Sequence, residues 1–207
     1  MHNSLANIFE GFAFSGDITS DALGLLNHHG RQDVAKHVLA VAEKARRLAG
    51  TYNVDPELAY CAGLLHDISQ VLPPPKMLQI SLELGMELVP AEKQVPYLIH
   101  GKLSAVIAEK AFKIKNDSLN HAISCHSTLC ANATPIDKVL YLADKMSWDP
   151  EHFPFRLELE KVLEKSLDEA VGCFLTWTWN QKDKLDSVHP WLIDAWNEFQ
   201  RKGFCKT

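Results

Sequence analysis

Four histidines and two aspartates fall on or beside the apolar faces of five predicted helices: His37, His66, His100 and His126, with Asp67 and Asp144. Imidazole nitrogens and carboxylate oxygens together suit divalent transition ions such as iron, manganese, zinc and nickel. A polar group aimed into a core must be hydrogen-bonded, paired or metal-bound. A single His66-Asp67 doublet reads most simply as a hydrogen-bonded pair. Four inward histidines with two aspartates are harder to satisfy among themselves. One ion held by two histidines and two aspartates leaves His100 and His126 idle. Two ions use all six residues, with an aspartate bridging and about three protein ligands on each ion. Two divalent ions outweigh the charge of two carboxylates, so such a site welcomes a hydroxide and a phosphate anion. It can lower the pKa of bound water and stabilise the charge of an in-line displacement.

The elements that must position these residues are helices. The His66-Asp67 doublet ends the apolar run Ala62-Gly63-Leu64-Leu65. Asp55 reads as an N-cap and Pro56 as the first helical residue, which predicts a helix from about 56 to 69. On it Leu58, Ala62, Leu65 and His66 share a face, with Asp67 about 100° around from His66. Upstream, Val34, His37, Val38, Val41, Ala42, Ala45 and Leu48 predict a helix from about 31 to 49, with Gly50 just past its C-cap. Pro73-Pro74-Pro75 breaks the chain before a helix from about 76 to 84, and Pro90 and Pro96 bracket a loop or helical turn. Tyr97 to Phe112 forms the next helix, with His100, Leu103, Ile107 and Ala111 on one face. Asp117 or Ser118 caps another, in which Leu119, Ala122, Ile123 and His126 line up. His121 falls off that stripe and reads as a surface residue. Residues 127–133 form a polar loop. Thr134-Pro135 then caps a helix that buries Ile136, Val139, Leu140 and Ala143 and carries Asp144.

Residues 1–30 read as a helical arm: a helix over 3–14, then a second one capped by Thr19-Ser20-Asp21. Adjacent His28 and His29 at its end read as solvated cations. Asp149-Pro150 and Pro154 mark the one plausible boundary, between a core over 31–150 and C-terminal helices over 151–207. Those helices are expected from about 156 to 180 and 190 to 202, packed on the core as one globular unit. Trp177, Trp179, Trp191 and Trp196 gather there, either as packing of that pair or as a homodimer surface. No strand-type alternation appears, so the fold class is all-α. The net charge of -5 argues against a nucleic-acid or anionic-membrane partner. The five cysteines are scattered without a Cys-x-x-Cys pair, and suggest neither a disulfide framework nor a thiolate zinc site. With no signal-type start and no apolar run of membrane length, the expected address is the cytoplasm.

The order H…HD…H…H…D resembles the HD-domain metal-dependent phosphohydrolases. The closer resemblance is to the bacterial YqeK-type hydrolases, which split diadenosine tetraphosphate symmetrically into two ADP at a di-iron centre. It is carried by His37-x-x-x-Val41-Ala42, Ala62 to Asp67, Ile99-His100-Gly101, Cys125-His126-Ser127-Thr128 and Tyr141-Leu142-Ala143-Asp144, over 31–148. It implies an HD-domain helical bundle with additional terminal helices. His37, His66, Asp67, His100, His126 and Asp144 are then the metal ligands, with Asp67 bridging and His66 and Asp67 at the catalytic centre. The ions are iron by that resemblance, with manganese, nickel, zinc or cobalt as alternatives. Lys102, Ser127 and Thr128 are the candidate phosphate contacts. The chain departs from the family pattern at Val34 in place of arginine, Gln70 in place of lysine and Leu129 in place of glycine. It also has Lys145 to Pro150 where the family has an acidic-proline signal. The expected alternatives are another nucleotide phosphatase or phosphodiesterase of this superfamily, or a nucleotide-binding regulator without turnover.

Overall fold

The helix that carries the His66-Asp67 doublet starts as expected and stops early. In the computed structural model, which describes residues 3–148 and 155–205, α4 spans Pro56–Leu65. Its N-cap is Asp55, whose carboxylate accepts the N–H groups of Glu57 and Leu58. Asp67 is already outside the helix, and Ile68–Val71 is a 3-10 turn rather than a continuation to 69. The His66 ring explains the stop: its Nδ1 donates to the Gly63 carbonyl at 2.7 Å, the acceptor an added turn would need.

The other elements before it are α1 (Asn3–Ala6), α2 (Ile18–His28) and α3 (Gln32–Thr51). Those after it are α5 (Pro74–Glu83), α6 (Pro90–Gln94), α7 (His100–Lys110), α8 (Asp117–Cys125) and α9 (Pro135–Lys145). The C-terminal part holds α10 (Arg156–Leu163), α11 (Leu167–Trp179) and α12 (Pro190–Arg201). Among the described residues there is no strand, so the chain is all-α as expected. Among the same residues no helix is long and apolar enough to cross a membrane.

Several boundaries differ from the sequence reading for local reasons. The arm predicted as a helix over 3–14 has one turn of α-helix and a 3-10 turn over Asn7–Phe9. Beyond it Phe14 packs on Phe9, Phe12 and Phe112, so aromatic contact replaces helical periodicity. The cap of α2 is Asp17, which accepts the Ser20 N–H, while Asp21 accepts from Ser15 and Gly16. Asn116 caps α8 in place of Asp117 or Ser118. α3 runs through Gly50, and Asn53 takes the positive φ that the glycine was expected to adopt. The single helix expected over 156–180 is two, because the Ser166 hydroxyl accepts the Glu169 N–H and starts α11 afresh. The expected boundary at Asp149-Pro150 and Pro154 lies outside the described residues.

Two apolar clusters result. The first joins α2, α3, α4, α7, α8 and α9 through small residues such as Ala42, Ala45, Ala62, Ala122 and Ala143. A Cβ on Gly63 would sit 2.5 Å from the Ala42 Cα, so the α3 and α4 backbones touch there. The second is aromatic: Tyr141, Phe174, Trp196 and Phe199 are buried with Leu129, Leu163 and Leu175. Trp179 stacks on Trp196 with ring centroids 5.2 Å apart. α9 is shared, since Val139, Leu140 and Ala143 face the first cluster and Tyr141 and Leu142 the second. Leu129 belongs to this second core. It holds φ +59° and is fully buried, so at that position a core contact offsets a backbone conformation glycine adopts freely.

Candidate metal centre

Three of the four histidines are set by one device. His66 follows α4, His126 follows α8, and His100 follows the 3-10 turn Pro96–Ile99. In each, Nδ1 lies against the carbonyl of the residue three positions earlier: Gly63 at 2.7 Å, Ile123 at 2.8 Å and Tyr97 at 2.6 Å. A carbonyl only accepts, so each Nδ1 carries the proton and each Nε2 is left as a ligand lone pair. The orphan carbonyls of a helix end thus fix ring orientation and tautomer together. His37 comes instead from the second turn of α3. Its Nε2 is 3.1 Å from Asp144 Oδ1.

The two oxygens of Asp67 divide these rings into two sets. Oδ2 is 3.7 Å from His37 Nε2 and 3.4 Å from His66 Nε2. Asp144 Oδ1 joins this set, 3.7 Å from His66 Nε2. Oδ1 faces the other set, 3.5 Å from His100 Nε2 and 3.7 Å from His126 Nε2. The ligand atoms of His37, His66 and Asp67 lie within 4.8 Å of one another, as do those of Asp67, His100 and His126; His66, His126 and Asp144 form a third such group that joins the two sets. Gly101 permits the second set, because a Cβ there would meet the Ser124 carbonyl at 2.8 Å and His126 Nδ1 at 3.3 Å.

These atoms fit cations better than one another. His66 Nε2 and Asp67 Oδ1 are buried and have no hydrogen-bond partner. His100 Nε2 and His126 Nε2 are 3.1 Å apart. With both Nδ1 atoms protonated, two neutral rings would point lone pairs at each other, and a cation between them removes that repulsion. The charges agree. Burial would raise the Asp67 carboxyl, but His66, His100 and His126 around it hold it well below the usual carboxylate range. Burial of Asp144 is likewise outweighed, chiefly by Lys145, His37 and His66. Burial opposes a charge on His66, yet Asp67 and Asp144 pull its imidazole up to about 10. Burial, with His66 and His100 alongside, pushes His126 well below the ordinary imidazole range. Two ionised buried carboxylates facing imidazole Nε2 atoms are a divalent-ion environment, where a bound ion would supply the positive charge that a proton on His66 otherwise supplies.

The cluster forms one wall of a cavity of about 600 Å³, lined also by Tyr97, Ser127, Lys145 and Trp148. Of the expected phosphate contacts only Ser127 reaches it. Lys102 does not: its ammonium is 2.9 Å from the buried Glu92 and lies over the Trp191 ring. The Thr128 hydroxyl donates to the Leu129 carbonyl at 2.9 Å. Val34 and Gln70 line the cavity, whereas Leu129 does not. Lys145 is the residue that helical reasoning passed over. It is 3 % exposed, donates to Asp144 Oδ2 at 2.8 Å, and lies over the Tyr141 and Trp148 rings. Its only sequence signal was its place next to Asp144. Tyr97, stacked on His100 at 4.6 Å, was also missed because its helix begins three residues later.

Comparison with known proteins gives the chain a family. Residues 34–149 match the family described as HD domain. The chain is 37% identical over 145 residues to an uncharacterized protein of the pepC 5' region of Lactococcus lactis subsp. cremoris, covering 70% of this chain and 73% of that one. It is 34% identical over 110 residues to a Staphylococcus aureus protein named bis(5'-nucleosyl)-tetraphosphatase, symmetrical, covering 52% of this chain and 55% of that one. Its fold matches, at a TM-score of 0.82 and 33% identity, a crystal structure from Clostridium acetobutylicum titled as a predicted HD superfamily hydrolase involved in NAD metabolism. That match covers 91% of this chain and 98% of the other. With the H…HD…H…H…D residues converging at one cavity, the chain belongs to the HD-domain hydrolase family.

Proposed function

We propose that this protein is a two-metal phosphohydrolase that cleaves diadenosine tetraphosphate symmetrically into two ADP. The observation that carries the reading is the division of labour at Asp67, one oxygen toward each set of nitrogens. His37, His66, Asp144 and Asp67 Oδ2 would hold one ion; His100, His126 and Asp67 Oδ1 the other. Iron is the proposed metal, with manganese, nickel, zinc or cobalt able to use the same donors. Bound there, two divalent ions supply an acidified water and neutralise phosphoryl charge.

The remaining work falls to the chain itself. Lys145 is held by Asp144 and two aromatic rings, so its ammonium is a pre-positioned cation at the cavity wall. Phosphoryl transfer depends mainly on such positioning and charge neutralisation. Ser127 offers a hydroxyl to a phosphate oxygen from the same wall. Tyr97 and Trp148 offer aromatic faces on which a purine can stack. Val34 and Gln70 add no charge, so a long polyphosphate should be gripped weakly and the Michaelis constant should be high. Gln70→Lys should then raise kcat/KM. The name of the Staphylococcus relative supports the tetraphosphate as substrate. Chromatography of products from the metal-loaded protein tests the reading: ADP alone is expected. AMP with ATP would overturn symmetrical cleavage, and preferred turnover of a nucleoside monophosphate would overturn the substrate.

A further inference from the structure

The other face of α8 carries a second constellation. His121 and Cys125 are four residues apart on that helix and so share a face. The loop after α8 brings in Cys130, and α9 brings in Asp137 from its first turn. One ligand atom from each of the four lies within 4.8 Å of the others. The hydrogen bonds assign roles. Asp137 Oδ2 accepts the Thr134 N–H at 2.7 Å in the capping box of α9. Its Oδ1 is 3.0 Å from His121 Nδ1, which must therefore be the protonated nitrogen. His121 Nε2 is then a lone pair, and Cys130 Sγ is 3.8 Å from it.

We propose that His121 Nε2, Cys125 Sγ and Cys130 Sγ form a thiolate site for a borderline-soft divalent ion of the zinc class, with Asp137 as the carboxylate that orients the His121 ring. Thiols are weak hydrogen-bonding groups, so two buried ones beside a histidine gain little as a polar network. One nitrogen and two sulfurs behind a carboxylate-held imidazole are a donor set that zinc takes readily. Cys125 and Cys130 are buried, while the His121 side chain is half exposed and leaves the ion an entry and a fourth position toward solvent. Binding replaces one proton on each thiol by a bond to the ion, and both protons go to solvent. No redox change is involved. The site would clamp the end of α8, where His126 begins its reach to the central cluster, against the start of α9.

Cobalt(II) loading under anaerobic conditions tests this, because the central cluster contains no sulfur. A thiolate-to-cobalt charge-transfer band is expected in the near ultraviolet. It should persist in His37→Ala, fall to half or less in Cys130→Ser and Cys125→Ser, and vanish in the double variant, which should also bind one zinc ion fewer than the parent. Asp137→Asn should keep the band but weaken zinc binding by about 10–100-fold. Should the buried serine variants fail to fold, His121→Ala decides, and the band should be lost or strongly weakened there. Absence of the band in the parent, its persistence without both cysteines, or a Cys125–Cys130 disulfide in anaerobically prepared protein would overturn the proposal.

Discussion

The two apolar clusters differ in what their side chains allow. The first is built on alanine and glycine, so its helices approach closely and their ends converge. Converging helix ends bring unpaired carbonyls, and these orient three imidazoles toward one point. The second is filled by aromatic rings, which bury large areas but keep backbones apart. Its buried rings do not line the cavity, and its contribution is to hold α9 from behind. α9 is the joint: Asp144 faces the cavity while Tyr141, three residues earlier, packs edge-on against Phe174. Chemistry should therefore fail first when the tight cluster is disturbed, and stability when the aromatic one is.

The largest effect expected is on Asp67, the residue common to both sets of nitrogens. Asp67→Ala should reduce kcat/KM of the metal-loaded protein by at least about a thousandfold, or ~4 kcal/mol of barrier, with helix content kept. Activity near that of the parent would break the contrast at its centre. Trp196→Ala should do the opposite. It removes a stacked, buried ring and should cost about 3–5 kcal/mol in denaturant unfolding. Below its unfolding temperature kcat should change little, and a large loss there would mean the aromatic core shapes the site directly.

Metal removal should separate the regions without mutation. Each ion at a hundred times its Kd stabilises by ~2.7 kcal/mol, so removing the two central ions should lower Tm by about 10–20 °C at this chain length. Hydrogen exchange should then rise around residues 66–68 and 126–128 more than in α11 and α12. Equal loss of protection in both regions would count against a local site.

Gly63→Ala is a milder probe of backbone contact between α3 and α4. Overpacking there should cost about 1–3 kcal/mol and lower kcat as well, because α3 carries His37 and α4 presents the doublet. Loss of stability with unchanged kcat would show that the two helices move together.

The smallest effect concerns the polar tie between the regions. Glu92 accepts from Lys102 and from His189, the N-cap of α12. Burial alone would raise its carboxyl, but the bonds from His189, Lys102 and the Val89 N–H hold it below its usual range. A lowered folded pKa contributes stability that is present above the unfolded value, about 4.3 for glutamate, and lost as pH falls through the folded one. Glu92→Gln should accordingly flatten the acid limb of the stability curve. Identical acid unfolding of parent and variant would assign this tie no energetic role.

Much of this was legible in the residues themselves. Helical spacing placed His37, His66, His100, His126 and Asp144 toward the interior, and the doublet, the caps at Asp55 and Thr134 and the absence of alternation specified an all-α chain. Periodicity reports which face of a helix is buried, because that is a property of one segment. It does not report what stands opposite. Lys102 had the right address beside His100, yet Glu92 and Trp191 capture its ammonium, and Lys145 takes the place at the cavity. Leu129 looked like a change in the substrate surround and is a core residue. Cys125 and Cys130 have no metal-binding spacing, and only the turn from α8 into α9 sets them beside His121 and Asp137. The end of α4 was decided the same way, when the His66 side chain took the carbonyl that a longer helix would have used. Which oxygen of Asp67 meets which imidazole depends on the packing angles of α3, α4, α7, α8 and α9 together, and no single stretch of sequence encodes those angles.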